Sequence, residues 1–200
     1  MHAAMKSRKA KRSPNTPDRI LDVAQELTQM RGYNGFSYAD VAAKIGLTKA
    51  SLHHHFATKA ALGAALIERY TARVAQSLEE IDATGKDAPE RLARFTQIYA
   101  DVLRQDRLCL CAMLAAEFGT LSPAIQKAVR QFFKSAHAWL QKVIADGRAA
   151  GSLAPQGSDA EAARVLLSGL EGAMLIARPL RDNENFYTTS RSLLANLQRR

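Results

Sequence analysis

From residue 16 onward apolar side chains recur three and four positions apart, and that spacing predicts a succession of helices. Ile20, Val23, Ala24 and Leu27 trace the first of them. Thr16 stands as its cap, Pro17 suits the opening turn, and Asp18 favours the positive end of the helix dipole. The pattern breaks between Gly32 and Gly35. Ser37 and Asp40 then have the spacing of a capping box, with Phe36 and Val41 placed to close over it as a hydrophobic staple. The box opens a short helix over 38–45 that stops at Gly46. A second short helix runs from Thr48 to about Phe56. Thr58 caps a longer one, with Ala61, Leu62, Ala65, Leu66 and Tyr70 on its apolar side. Further helices are predicted near 88–105, near 107–119, and from Ser122-Pro123 to about Ala150, closed by Gly151. Ser158 and Glu161 make a second capping box, and the helix it opens is expected to stop near Arg178 because Pro179 follows. A last helix covers roughly 183–198. No stretch alternates with the period of two that a strand requires. The expectation is an all-α fold of about nine helices. It divides into a basic flexible arm over 1–15, a three-helix helix-turn-helix domain over 16–60 and a larger helical domain over 61–200.

Charge sharpens the picture. The chain has 200 residues and a formal charge of +9. Ten Lys or Arg and four acids fall within residues 1–60, so that segment carries +6 and the remainder only +3. A polyanion is the expected partner of the basic end, either nucleic acid or an acidic membrane surface. Arg8, Lys9, Lys11 and Arg12 of the arm are suited to phosphates or a minor groove, or to a solvated tail. Two cysteines, Cys109 and Cys111, make no disulfide framework. The basic start runs into polar residues rather than the apolar core of a signal peptide. Leu108 to Ala116 is too short to span a bilayer. These features predict a cytoplasmic protein without a membrane partner.

The stretch "LTKASLHHHF", residues 47–56, carries three consecutive histidines. Neighbours on a helix are rotated by about 100° from one another, so the three cannot converge on one metal ion, and no metal or cofactor is expected. Val41, Ala42, Ile45, Leu47, Leu52 and Phe56 form an apolar seam between two short helices joined at Gly46. The opposite face presents Thr48, Lys49, Ala50, Ser51, His53 and His54. These are small, polar or cationic, and a helix with such an edge enters the major groove of duplex DNA by its leading residues.

The segment "FSYADVAAKIGLTKASLHHHFATKAAL" resembles the DNA-binding domain of the TetR family of transcriptional regulators. Ser37, Val41-Ala42, Gly46-Leu47, Leu52, His55-Phe56 and Lys59 stand where that family has its recurrent residues. The resemblance covers residues 18–62. It implies DNA contacts from Ser37, Tyr38, Thr48, Lys49, Ala50, Ser51, His53, His54 and Lys59. Lys59 would add charge to a phosphate site at the start of its helix. His53 stands where the family has Tyr, and His55 stands at a position that packs against the turn.

The same resemblance makes residues 61–200 a ligand-binding and dimerisation domain. It implies a homodimer on a near-palindromic double-stranded operator, released by a small-molecule effector. Val165, Gly169, Ala173 and Ala177 recur every fourth residue, with Leu166, Leu170 and Met174 beside them. With Leu194 of the last helix they are the expected dimer interface, or else pack on their own core. Tyr99, Leu103, Cys109, Met113, Glu117, Phe133 and His137 are the expected ligand-binding residues, with Phe118, Phe132 and Trp139 behind them. Glu117 sits in the apolar run "CAMLAAEFG", where a carboxylate needs a partner: a ligand or a neighbouring helix end. A Cys eight residues before a Glu recurs in several TetR-like regulators, some of which respond to electrophiles or oxidants; the alternative is that Cys109 and Cys111 are two buried, inert thiols. Arg104 and Arg107, close in sequence, are placed to lower the Cys109 pKa. The resulting reading is a repressor released by an effector or by thiol modification, and not an enzyme. A helical enzyme with an unidentified pocket is the alternative, although no nucleophile elbow, H-E-x-x-H or phosphate-binding glycine loop is present.

Overall fold

The computed structural model describes residues 15–198, so the basic arm lies almost wholly outside the described residues. Among them nine α-helices and one 3-10 turn occur, and no strand. In chain order the helices are α1 (Thr16–Arg31), α2 (Tyr38–Ile45), α3 (Lys49–His55), α4 (Lys59–Thr84), α5 (Ala88–Leu103), α6 (Leu110–Ala116), α7 (Pro123–Ala149), α8 (Asp159–Leu180) and α9 (Asn183–Ala195). A 3-10 turn over Phe118–Thr120 follows α6.

The side chains that open these helices act as the sequence predicts. Both capping boxes form, Ser37 with Asp40 and Ser158 with Glu161, and Thr48 and Thr58 cap α3 and α4. Phe36 and Val41 are both buried beside the first box. Several ends differ from expectation: the helix expected near 107–119 is only Leu110–Ala116 with a 3-10 turn after it, and α9 stops at Ala195. Asn15 rather than Thr16 caps α1, its side chain accepting the Asp18 N–H at 3.0 Å. α8 runs through Pro179 to Leu180. A proline removes one N–H from the ladder, and in the last turn the helix still closes. Arg181 turns left-handed (φ 53°) and the Asp182 N–H donates to the Ala177 carbonyl at 3.0 Å.

α1, α2 and α3 form the small N-terminal unit. α4 leaves it without a linker, so the expected boundary at residue 60 falls inside the first turn of a 26-residue helix. In the larger part α8 packs on α5, α7 and α9, and α4 packs on α5, α6 and α7. Phe95 and Phe186 are among the largest fully buried side chains there.

That packing draws most of the expected dimer row into the protomer's own core. Leu166, Leu170, Ala173 and Met174 are buried in the protomer's own core, and Leu194 is half-buried against it. Gly169 is small because α9 needs the space: an added Cβ would lie 2.7 Å from Leu193 Cδ1. Of the row, Val165 points outward. The open side of α8 instead carries Val165, Leu175, Ile176 and Leu180, all 54–63 % exposed. They recur at helical spacing along one stripe.

Candidate functional site

The two short helices meet across Gly46, which takes φ 71°, ψ 31°. Nothing lies within 4 Å of the place a Cβ would occupy, so the residue is glycine for its backbone alone. The Leu47 N–H donates to the Ala42 carbonyl at 3.1 Å, and Thr48 Oγ1 accepts from the Ser51 N–H at 3.1 Å. Leu52 is fully buried, with Ile45, Leu47 and Phe56 packed beside it. This anchor leaves Thr48, Lys49, Ala50, His53 and His54 exposed along one edge, with Ser51 half-buried among them. His53 is oriented by its neighbours: Nδ1–H donates to the Ala57 carbonyl at 3.1 Å, and the ring lies 4.6 Å from that of Tyr38. Nε2 is left for an outside partner. Ser37 is exposed beside this edge, its hydroxyl held by Asp40.

Three residues do not stand where the sequence places them. Tyr38 is buried, and its hydroxyl donates to the Phe56 carbonyl at 2.8 Å, so it braces α2 against the end of α3. Lys59 turns inward. Its Nζ donates to the Phe36 carbonyl and lies 4.9 and 4.4 Å from the ring centres of Tyr33 and Phe36, and burial holds its pKa below the usual lysine value. It clamps the α1–α2 loop to α4. His55 is exposed rather than packed against the turn. A seven-residue helix anchored by one leucine has most of its circumference outside, and Phe56 fills the seam that His55 was expected to share. Among the described residues no group of three or more His, Cys, Asp or Glu side chains is arranged for a metal ion.

A second site opens in the larger part. A cavity of about 1020 Å³ lies between α6, the 3-10 turn, α7 and α8. Of the expected ligand residues Phe133 and His137 line it, with Phe118. His137 Nε2–H donates to the Ala160 carbonyl at 3.0 Å. Tyr99 and Cys109 line a separate, much smaller cavity of about 20 Å³ with Tyr70, Phe95 and Phe132. Leu103 is buried and Met113 half-buried, and neither lines either of these two cavities.

Glu171 joins the two cavities and escaped the sequence reading. It lines the large one, while its Oε1 accepts the Tyr99 hydroxyl at 3.3 Å from the side of the small one. Oε2 is buried and no N–H or O–H donates to it, although the Cys109 thiol hydrogen-bonds the carboxyl. Burial pushes the carboxyl up to about 7, against the pull of Cys109 and Tyr99. The signal was present in sequence, since "SGLEGAML" sets a lone carboxylate in an apolar run just as "CAMLAAEFG" does.

Cys109 is buried, with the Tyr70 hydroxyl 3.8 Å from Sγ. Burial, and then Glu171, push its thiol well above the usual range. The expected lowering is reversed because the arginines face elsewhere: Arg104 pairs with Asp101, and Arg107 lies 3.8 Å from Glu26.

Glu117 points away from the cavity. Its Oε2 accepts the Asn34 N–H at 3.0 Å, and Asn34 Nδ2 donates to Thr120 Oγ1 at 2.7 Å. The end of α1 is gripped as well. The Leu108 N–H donates to the Gln29 carbonyl at 3.2 Å, Gln29 Nε2 to the Leu108 carbonyl at 3.0 Å, and Arg178 Nη2 to the Met30 carbonyl at 2.6 Å. The segment that borders the cavity through Ala112, Ala115 and Phe118 therefore also holds the loop leading into α2.

Comparison with known proteins agrees with both halves. The pattern of bacterial regulatory proteins of the tetR family matches residues 20–66, and that of the tetracyclin repressor-like C-terminal domain matches residues 88–193. The transcriptional repressor NemR of Escherichia coli K12 is 27 % identical over 174 residues, covering 85 % of this chain and 87 % of that repressor. A TetR-family regulator from Agrobacterium tumefaciens superimposes with a TM-score of 0.88 at 31 % identity, over 92 % of this chain and 97 % of its own. One from Legionella pneumophila gives 0.85 at 30 % identity, over 93 % and 99 %. Among the described residues no helix is long and apolar enough to cross a membrane. The chain belongs to the TetR family, DNA-binding transcriptional regulators that act on operators as homodimers and respond to small-molecule effectors.

Proposed function

We propose that this protein is a cytoplasmic repressor, not an enzyme, whose Thr48, Lys49, Ala50, Ser51, His53 and His54 edge reads a near-palindromic operator. Ser37 adds a phosphate contact at the start of α2. The effector occupies the cavity between α6, α7 and α8. One observation carries the reading: the segment over 110–120 both borders that cavity and holds Asn34 of the loop into α2. An occupant that favours another position of this segment shifts α2 and α3 with it. DNA binding then weakens by the difference in the occupant's affinity for the two positions, and by no more. The names of NemR and of the Mycobacterium repressor DhaR support repression over activation. The dimer uses the open stripe of α8, Val165 with Leu175, Ile176 and Leu180, rather than the buried residues of the expected row.

Release by thiol modification is the second route, and a neighbour of similar fold is NemR solved in its reduced form. Here it requires opening first, because Cys109 is buried and its thiolate is disfavoured. The regulator reading is tested by footprinting the purified protein on DNA upstream of its own coding sequence. A protected near-palindrome, weakened by added salt and by Lys49→Ala, is the expected result. Equal retention of any duplex in the presence of random competitor overturns it.

A further inference from the structure

The large cavity has a polarity that its volume alone does not convey. Its volume of about 1020 Å³ is that of a broad groove open to solvent along one side rather than an enclosed chamber. Phe118, Phe133 and Leu167 make its walls apolar. Its basic members, Arg130, Lys134 and Arg164, are all exposed, and the Arg130 guanidinium lies 4.7 Å from the centre of the Phe118 ring. No described carboxylate comes within salt-bridge distance of any of the three. Glu171 is the only acid in the lining; no N–H or O–H donates to its buried Oε2, which the Cys109 thiol adjoins on the far side and which an occupant meets once the side chain turns toward the cavity. A buried oxygen short of donors destabilises the fold, so it marks where a ligand's polar group is worth most.

We propose that the cavity takes an amphipathic organic anion. Its carboxylate is met at the mouth by Arg130, Lys134 and Arg164, and its apolar body lies along Phe118, Phe133 and Leu167. Its buried end carries a hydroxyl that hydrogen-bonds Glu171 Oε2. A hydroxyl fits this place better than an amine for two reasons. An ammonium end has to pass three cations to arrive. The Glu171 carboxyl also changes protonation near neutral pH, and a hydroxyl accepts from the protonated form and donates to the ionised one, whereas an ammonium suits only the second. The inference rests on the regulator reading for its biological meaning but not for its test.

The test is calorimetric titration of the full chain, below micelle-forming concentrations, with straight-chain fatty acids of eight to fourteen carbons in three forms. These are the ω-hydroxy acid, the methyl-ended acid and the ω-hydroxy alkylammonium. The ω-hydroxy acid is expected to bind about tenfold tighter than the methyl-ended acid at the best length, the worth of satisfying one buried partner. Glu171→Leu should erase that preference. Glu171→Gln, which keeps a hydrogen-bonding group and guards against a misfolded leucine variant, should retain it and bind independently of pH between 5.5 and 8. Arg164→Ala combined with Lys134→Ala should weaken both acids alike and leave their ratio unchanged. Equal binding of the two acids, tighter binding of the ammonium probe, or a preference that survives Glu171→Leu overturns the proposal. No binding of any probe by protein that still protects its operator overturns it while the regulator reading stands; loss of operator protection condemns that reading instead.

Discussion

Glu171 shows how one side chain can tie stability to pH in a direction opposite to that of most carboxylates. Its carboxyl is pushed up to about 7 by burial, with Tyr99 of α5 and Cys109 drawing it the other way. Tyr70 of α4 and Cys111 stand in the same buried group, and Arg130, Lys134 and His137 of α7 and Arg164 of α8 share the cavity. The folded state therefore holds a proton that the unfolded chain, with an ordinary value near 4.5, releases. Its contribution is most favourable below about pH 4.5 and is lost as pH rises to about 7, by roughly 3 kcal/mol in all. Glu171→Gln has no proton to lose. The variant should gain stability over the parent progressively from pH 5 to 7.5 and level off above, as denaturant melts at each pH will show; a constant difference would remove the buried-acid interpretation. Residue chemistry of this kind was half legible. Residues 47–56 announced their exposed polar edge, because short helices leave little choice of face. For Glu117 and Glu171 the sequence marked an apolar setting for both, yet which one meets the loop and which meets the cavity depends on how α6 and α8 are turned. Only packing sets that.

At the scale of elements, two glycines end helices with the same sign of φ for different reasons. Gly46 closes α2 at φ 71° with open space around its missing Cβ, whereas Gly32 closes α1 at φ 87° with Glu117 Oε1 only 2.5 Å from that point. Asparagine tolerates the left-handed region. Gly46→Asn should therefore cost at most about 1 kcal/mol. Gly32→Asn should cost more on two counts, because φ 87°, ψ 161° lies outside the left-handed region and because the new side chain meets Glu117, and it should loosen the Glu117–Asn34 contact. Urea melts of the two variants read the cost, and hydrogen exchange at the Asn34 amide reads the grip; unchanged exchange there in Gly32→Asn would mean that Glu117 yields freely and that the loop is not gripped. Helix starts were legible because caps are local chemistry, as Ser37, Thr48, Thr58 and Ser158 show. The phase of α8 was not. That helix is apolar nearly all round, with Leu166, Leu167, Leu170 and Met174 inside and Val165, Leu175, Ile176 and Leu180 outside, so periodicity could not say which stripe faces the core.

At the scale of the whole molecule, the proposed dimer face on the open stripe of α8 would connect reading DNA with sensing. Four large apolar side chains on one face of a helix are a standing cost in water, each worth about 1.5–3 kcal/mol when covered. A two-fold axis across the stripe covers both copies at once, since an isologous contact uses the same surface twice. Gly172, which has nothing within 4 Å of its missing Cβ, leaves room for a partner helix to approach. The dimer then holds two α3 edges, which must lie about 34–36 Å apart to reach successive turns of the major groove. Ser168 and Arg164 of the same helix border the cavity, so an occupant there adjoins the interface as well as the α6 segment. Replacing Leu175 and Ile176 together by Ser and Lys removes the apolar centre of the stripe and places two like charges across the axis without disturbing a buried residue. The double variant should stay helical and sediment as a monomer at micromolar concentration. Its operator affinity should fall by more than about a hundredfold, because a single reading edge forfeits half the contacts together with the linkage between half-sites. Sedimentation velocity beside gel retardation separates the outcomes: a variant that remains dimeric places the interface elsewhere, and a monomer that still binds the whole operator at parental affinity disconnects assembly from recognition.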